Sequence, residues 1–117
     1  MNKDLLEIGC PVGTANMVMQ GKWKFAIMNF LLKGTMRFGE LNRAIPNIRQ
    51  GYLTQQLREL EKDGIVHREV YKEVPPKVEY SLTEIGREFL PVTQAMTVWG
   101  DKYIEMLKET VASDEKK

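Results

Sequence analysis

A mainly α-helical fold carrying a small β-hairpin (α+β) is what this sequence predicts, on three observations. Apolar residues recur at helical spacing as far as residue 63, alternate with polar ones between residues 65 and 82, and return to helical spacing from residue 84. The 117 residues, 43% of them hydrophobic, are enough to fill one modest core. A single domain over 1–117 is therefore expected, with its core over 9–100 and a frayed polar tail at 113–117.

The elements follow in order. Pro11 is well placed at the first position of a helix in which Val12, Ala15, Val18 and Met19 share a face, and Gly21 stops it. A second helix presents Trp23, Ile27, Phe30 and Leu31 and stops at Gly34. A short helix over Glu40–Ala44 buries Leu41, with Phe38 and Ile45 beside it, and Pro46 ends it. After the turn Ile45-Pro46-Asn47-Ile48, a longer helix runs from Arg49 to Asp63. Leu53, Leu57 and Leu60 form its inner stripe, and Gly64 is its stop.

Alternation then marks two strands. In Ile65–Tyr71, Val66, Arg68 and Val70 face one way, while His67, Glu69 and Tyr71 face the other. In Lys77–Leu82, Val78, Tyr80 and Leu82 alternate with Glu79 and Ser81. Glu73-Val74-Pro75-Pro76 between them cannot continue a central strand, because proline donates no ladder hydrogen bond, so the pair reads as a hairpin with a stiff tip. Thr83 is an N-cap for a last helix over 84–111, which Pro91 kinks or restarts.

Charge is unevenly spread. The chain as a whole carries only +1, yet residues 16–58 hold Lys22, Lys24, Lys33, Arg37, Arg43, Arg49 and Arg58 against Glu40 alone, a local balance of +6. Beyond residue 58 the acids outnumber the bases. An anionic partner meeting the first half of the chain is the expectation. No apolar run is long enough to span a bilayer, and Met1–Ile8, with Lys3, Asp4 and Glu7, is unlike a signal peptide, so a cytoplasmic protein is expected. The single cysteine excludes an intramolecular disulfide and a multi-cysteine zinc site. Phosphate loops, nucleophile elbows and framed carboxylate pairs are missing, so no enzyme, cofactor or metal is expected.

Helix, helix, short helix, turn, longer helix, hairpin, helix is the element order of a winged helix-turn-helix. A helix that buries Leu53, Leu57 and Leu60 turns Gly51, Thr54, Gln55 and Arg58 outward at about 100° per residue. Glutamine pairs with adenine, arginine with guanine, and threonine with several bases or a thymine methyl, so this face suits the major groove. Lys72 and Lys77 flank the hairpin tip, where phosphates or a minor groove would lie. A polar helix face is also what plain solvation produces. A winged-helix protein-interaction module without DNA affinity is thus the alternative.

Five segments together carry a resemblance: Cys10-Pro11-Val12, Gly21-Lys22-Trp23-Lys24, Arg37-Phe38-Gly39-Glu40-Leu41, Leu53-Thr54-Gln55-Gln56-Leu57-Arg58-Glu59-Leu60, and Val74-Pro75-Pro76-Lys77-Val78-Glu79-Tyr80-Ser81-Leu82-Thr83. Their order and spacing resemble the HxlR family of bacterial transcription regulators over residues 9–100. The resemblance implies a homodimer that binds a pseudo-palindromic operator, with terminal helices at the dimer seam. It also implies, for some members, sensing of oxidants or electrophiles through an N-terminal cysteine, here Cys10. Two positions depart from the family pattern. Arg49 stands where Ser or Thr commonly caps the recognition helix, and Gly51 stands where a longer, often basic, side chain is usual.

The candidate DNA contacts are accordingly Arg37, Arg49, Gln50, Thr54, Gln55, Arg58, Lys72 and Lys77, with a double-stranded operator as partner. The dimer seam is expected at Val92, Met96, Trp99 and Tyr103, an apolar stripe that a small core cannot cover alone. Cys10 sits at a helix start, where free amides and the helix dipole favour a thiolate; its plainer role is a small packing residue near the seam. His67 has no second ligand nearby and reads as a structural or surface residue. The methionines and tryptophans read as packing residues, although a Met-rich interior adapts to a small hydrophobic effector.

Overall fold

A computed structural model describes residues 3–115. A short 3-10 helix at Lys3–Glu7 precedes α1 (Pro11–Val18), α2 (Lys24–Leu31), β1 (Met36–Arg37), α3 (Phe38–Ala44) and α4 (Gln50–Lys62). Then come β2 (Val66–Tyr71), β3 (Lys77–Leu82), α5 (Glu84–Arg87) and α6 (Leu90–Glu115). The mainly helical fold with a hairpin is as expected, with two additions, the 3-10 helix and β1. Met36 and Arg37 pair antiparallel with Tyr80 and Glu79, so the sheet has three strands in the order β1-β3-β2.

The hairpin register is continuous, from Val66 opposite Leu82 to Tyr71 opposite Lys77. Side chains alternate across a sheet, so Val66, Arg68 and Val70 share a face with Leu82, Tyr80 and Val78. Val66, Tyr80 and Leu82 bury the inner end of that face in the core. The core itself centres on Ile27, Met28, Leu31, Leu41, Ile45, Leu53, Leu57 and Leu60. All three leucines of the predicted α4 stripe are at most 1% exposed. Burial of each contributes roughly 1.5–3 kcal/mol, which holds α4 in one rotational setting.

Two element ends differ from expectation. The terminal helix is two helices: α5 is capped by Thr83, whose Oγ1 accepts from the Gly86 amide, and α6 restarts at Leu90 with Pro91 in its first turn. Pro91 has no N–H to lose at that position, so a restart costs nothing there. The polar segment Ser113–Glu115, expected to fray, continues α6 as helix; Lys116 and Lys117 of that tail lie outside the described residues. The face predicted for α2 is also shifted. Lys24, Ile27, Met28 and Leu31 are the buried residues, and Trp23 and Phe30 pack at the edge.

Gly86 shows how tightly α5 is seated. A Cβ there would strike the Ile65 carbonyl oxygen and lie 3.3 Å from Leu82 Cβ. Thr83 Oγ1 donates to the Gly64 carbonyl at 2.6 Å, tying the same corner to the end of α4.

Candidate nucleic-acid interface

The turn between α3 and α4 aims the proposed recognition helix. Its tightest point is Asn47, which adopts φ 66°, the left-handed region that asparagine tolerates better than most residues. Arg49 follows as the N-terminal boundary residue, extended at φ −80°, ψ 142°, with no side-chain cap. An arginine carries no acceptor, so the first amides of α4 stay open toward solvent. α3 begins differently: the Arg37 amide donates to Glu40 Oε1 at 2.8 Å, the reciprocal half of a capping box.

Along α4 the outward face carries Gln50, Gly51, Gln55 and Arg58, all exposed, and the half-buried Thr54. Thr54 Oγ1 donates to the Gln50 carbonyl at 3.0 Å, so its proton is spent within the helix. Among the described residues, none of Arg49, Arg58 and Lys72 enters an ion pair. At the wing the two lysines differ. Lys72 is exposed, whereas Lys77 Nζ lies 3.1 Å from Glu79 Oε1 and 4.5 Å from the centre of the Tyr71 ring. Arg37 is exposed too, but it stands in register with Glu79 on the outer face of the sheet, away from α4.

The inner side of α4 is pinned by polar contacts as well as leucines. Lys24, 3% exposed, directs its ammonium to the Val18 carbonyl at 3.3 Å and to Glu59 Oε2 at 3.4 Å. Gln56 Nε2 donates to the same Glu59 oxygen at 2.9 Å, and the Lys22 amide donates to the Tyr52 hydroxyl at 3.2 Å. Lys24 therefore adds nothing to the surface field that the local count of +6 implied. The sequence held the signal, because Lys24, Ile27, Met28 and Leu31 fall at i, i+3, i+4 and i+7.

One further cation was not singled out from the sequence. Arg68 of β2 is exposed and lines a cleft between α4 and the wing together with Thr54, Arg58, Glu61 and Tyr80. His67, by contrast, makes an exposed contact with Glu69 at 2.8 Å. Among the described residues no group of His, Cys, Asp and Glu is arranged to hold a metal ion, and no helix is long and apolar enough to cross a membrane.

The N- and C-terminal elements present a different surface. Thr93 is the only buried residue among the 26 of α6, and Val92, Met96, Trp99 and Tyr103 are all exposed on it. The Trp99 and Tyr103 rings stack with centroids 5.3 Å apart. Beside α5 and α1 lies an apolar cavity of about 670 Å³, lined by Leu5, Leu6, Ala15, Ile85, Phe89 and the exposed Cys10, among others. Cys10 occupies the boundary position ahead of Pro11, and its carbonyl accepts from the Thr14 amide at 2.9 Å.

A buried-stripe helix entered through a tight turn and followed by an antiparallel hairpin defines a winged helix-turn-helix. The model of the HxlR-like helix-turn-helix family matches residues 18–108, and the chain belongs to that family. It is 51% identical over 105 residues to the HTH-type transcriptional regulator YdeP of Bacillus subtilis (strain 168), covering 90% of this chain and 82% of YdeP. Among solved structures it is similar to the redox regulator HypR in its reduced form, with TM-score 0.80 and 50% identity over 86% of this chain and 99% of that one. The oxidized form of HypR matches with TM-score 0.75 and 54% identity, covering 80% of this chain and 96% of the other.

Proposed function

We propose that this chain is a homodimeric transcription regulator that binds a pseudo-palindromic DNA operator, with α4 in the major groove and the wing on the backbone or in the adjacent minor groove. The observation that carries the reading is the contrast between the two faces of α4. One is locked by Leu53, Leu57, Leu60 and the Glu59 pair; the other offers Gln50, Gln55 and an unpaired Arg58 to a partner. A rigid helix with free side-chain amides is what direct reading of base edges requires, and a free guanidinium beside them suits the phosphates that flank the groove. The uncapped amides behind Arg49 and the exposed Lys72 suit phosphates.

The dimer supplies the symmetry. An apolar stripe on α6 that includes Trp99 is too extensive for a solvated surface, and a second copy is the cover that the family relationship favours. Two recognition helices would then lie about 34 Å apart or a multiple of that, which demands two half-sites. A gel-shift titration with the DNA upstream of the protein's own gene tests the reading. Sequence-selective binding supports it; failure across all genomic fragments favours the protein-interaction module.

A second element of the proposal is a redox or electrophile response through Cys10. The thiol is exposed at the rim of an apolar cavity between the terminal elements, where the dimer seam is proposed. The similar protein HypR is a redox regulator. Because the chain has one cysteine, any disulfide it forms joins Cys10 to a thiol on another molecule. The same experiment run with and without the thiol oxidant diamide decides whether binding responds.

A further inference from the structure

We propose that Arg58 and Arg68 together clamp a single phosphate of the DNA backbone in the cleft between α4 and β2; the assignment rests on the DNA-binding reading above and extends it to a residue outside the recognition helix. Arg58 and Arg68 come from different elements and line one cleft of about 350 Å³. Among the described residues neither forms an ion pair, although Glu61 lines the same cleft. Two like charges brought to one concavity without a bound carboxylate raise the local potential, and an anion placed between them relieves it. Guanidinium forks match the geometry of phosphate oxygens.

The other cleft residues define what enters. Thr54 has spent its proton on the Gln50 carbonyl, and Tyr80, 8% exposed, closes the cleft against the core. Glu61 offsets one of the two positive charges, leaving the cleft with a balance suited to one phosphate. Arg68 stands on a strand beside α4 and not on the helix itself, so it meets the backbone flanking the groove. A phosphate held by both elements fixes the recognition helix and the wing on the same stretch of strand. Such a contact sets register and carries no base information.

The test measures affinity by fluorescence anisotropy between 50 and 200 mM salt, roughly the range over which phosphate contacts dominate. The probes are a duplex that the wild-type chain selects from genomic fragments and a scrambled duplex of the same length. Arg68→Ala is expected to weaken both by a similar factor, about ten-fold, and to reduce the salt slope by about 2, since the dimer loses one phosphate contact per protomer. Arg68→Lys should keep most of the slope, and Glu61→Gln should tighten both complexes. Thermal melting should be unchanged for each variant, since these side chains are exposed. Wild-type affinity and slope in Arg68→Ala, or a loss confined to the selected duplex, would overturn the clamp while leaving DNA binding intact. Failure of the wild-type chain to bind either duplex would overturn the DNA-binding reading itself.

Discussion

The Lys24 ammonium and the Glu59 carboxylate meet at 3.4 Å on the inner side of α4, with the lysine side chain 4% exposed and the glutamate 43%. The asymmetry fixes the order of two effects. Glu59→Ala strands a buried cation and leaves the Gln56 amide without its acceptor, whereas Lys24→Met removes the cation and leaves a carboxylate that water reaches. Glu59→Ala should cost about 1–3 kcal/mol and Lys24→Met less. Urea unfolding of both variants checks the order; a larger loss in Lys24→Met would contradict it.

Gly86 and Gly51 should respond oppositely to alanine. At Gly86 the added carbon meets the Ile65 backbone oxygen, which cannot yield without moving α5, and a loss of about 1–3 kcal/mol is expected. At Gly51 the carbon meets nothing within 4 Å, and helix propensity should stabilise the fold by about 0.5–1 kcal/mol. Thermal melts of the two variants decide. Destabilisation by Gly51→Ala would contradict the placement of that residue on an open helix face.

Trp99 and Met96 report on the proposed dimer. Both are exposed in the single chain, at 66% and 41%. Trp99→Ala or Met96→Asp should weaken self-association at least ten-fold, as expected for an aromatic anchor or a charge placed in an apolar seam. Sedimentation velocity over a concentration series measures this. A full dimer at the lowest concentration in both variants would place the seam elsewhere.

Cys10→Ser should leave DNA affinity under reducing conditions within about two-fold of wild type, because an exposed thiol and hydroxyl differ little in size. The variant should also lose any change in affinity that diamide produces in the parent chain. An oxidant response that persists in Cys10→Ser would sink the sensor reading, since the chain has no other cysteine.

Much of the fold was legible in the sequence because its signals are periodic. The leucine stripe of α4, the alternation of β2 and β3 and the punctuation at Gly21, Gly34, Pro46 and Gly64 each follow from one local rule. What escaped is non-local. β1 is two residues long, too short to alternate, and exists because Tyr80 and Glu79 offer it a partner. Lys24 was counted as surface charge because composition does not distinguish a buried cation from a solvated one. Arg68 was placed on the correct face of β2, yet nothing in the chain's own pattern brings that face against Arg58. The tail at Ser113–Glu115 follows the helix preceding it, not its own composition. Lys72 and Lys77 were grouped by their place at the hairpin tip; the structure separates them, with Lys77 held by Glu79 and Lys72 exposed.

Contact of α4 and the wing with DNA should show itself first in the salt dependence of binding. With a duplex selected from the chain's own genomic DNA, affinity should fall by a factor of 10³ or more between about 50 and 200 mM salt if six or more phosphates are engaged by the dimer. Arg58→Ala should weaken the selected and the scrambled duplex by a similar factor, as loss of a phosphate contact does. A folded, dimeric protein with no measurable affinity for any genomic duplex at the lowest salt would contradict the account and leave the winged helix as a surface for another protein.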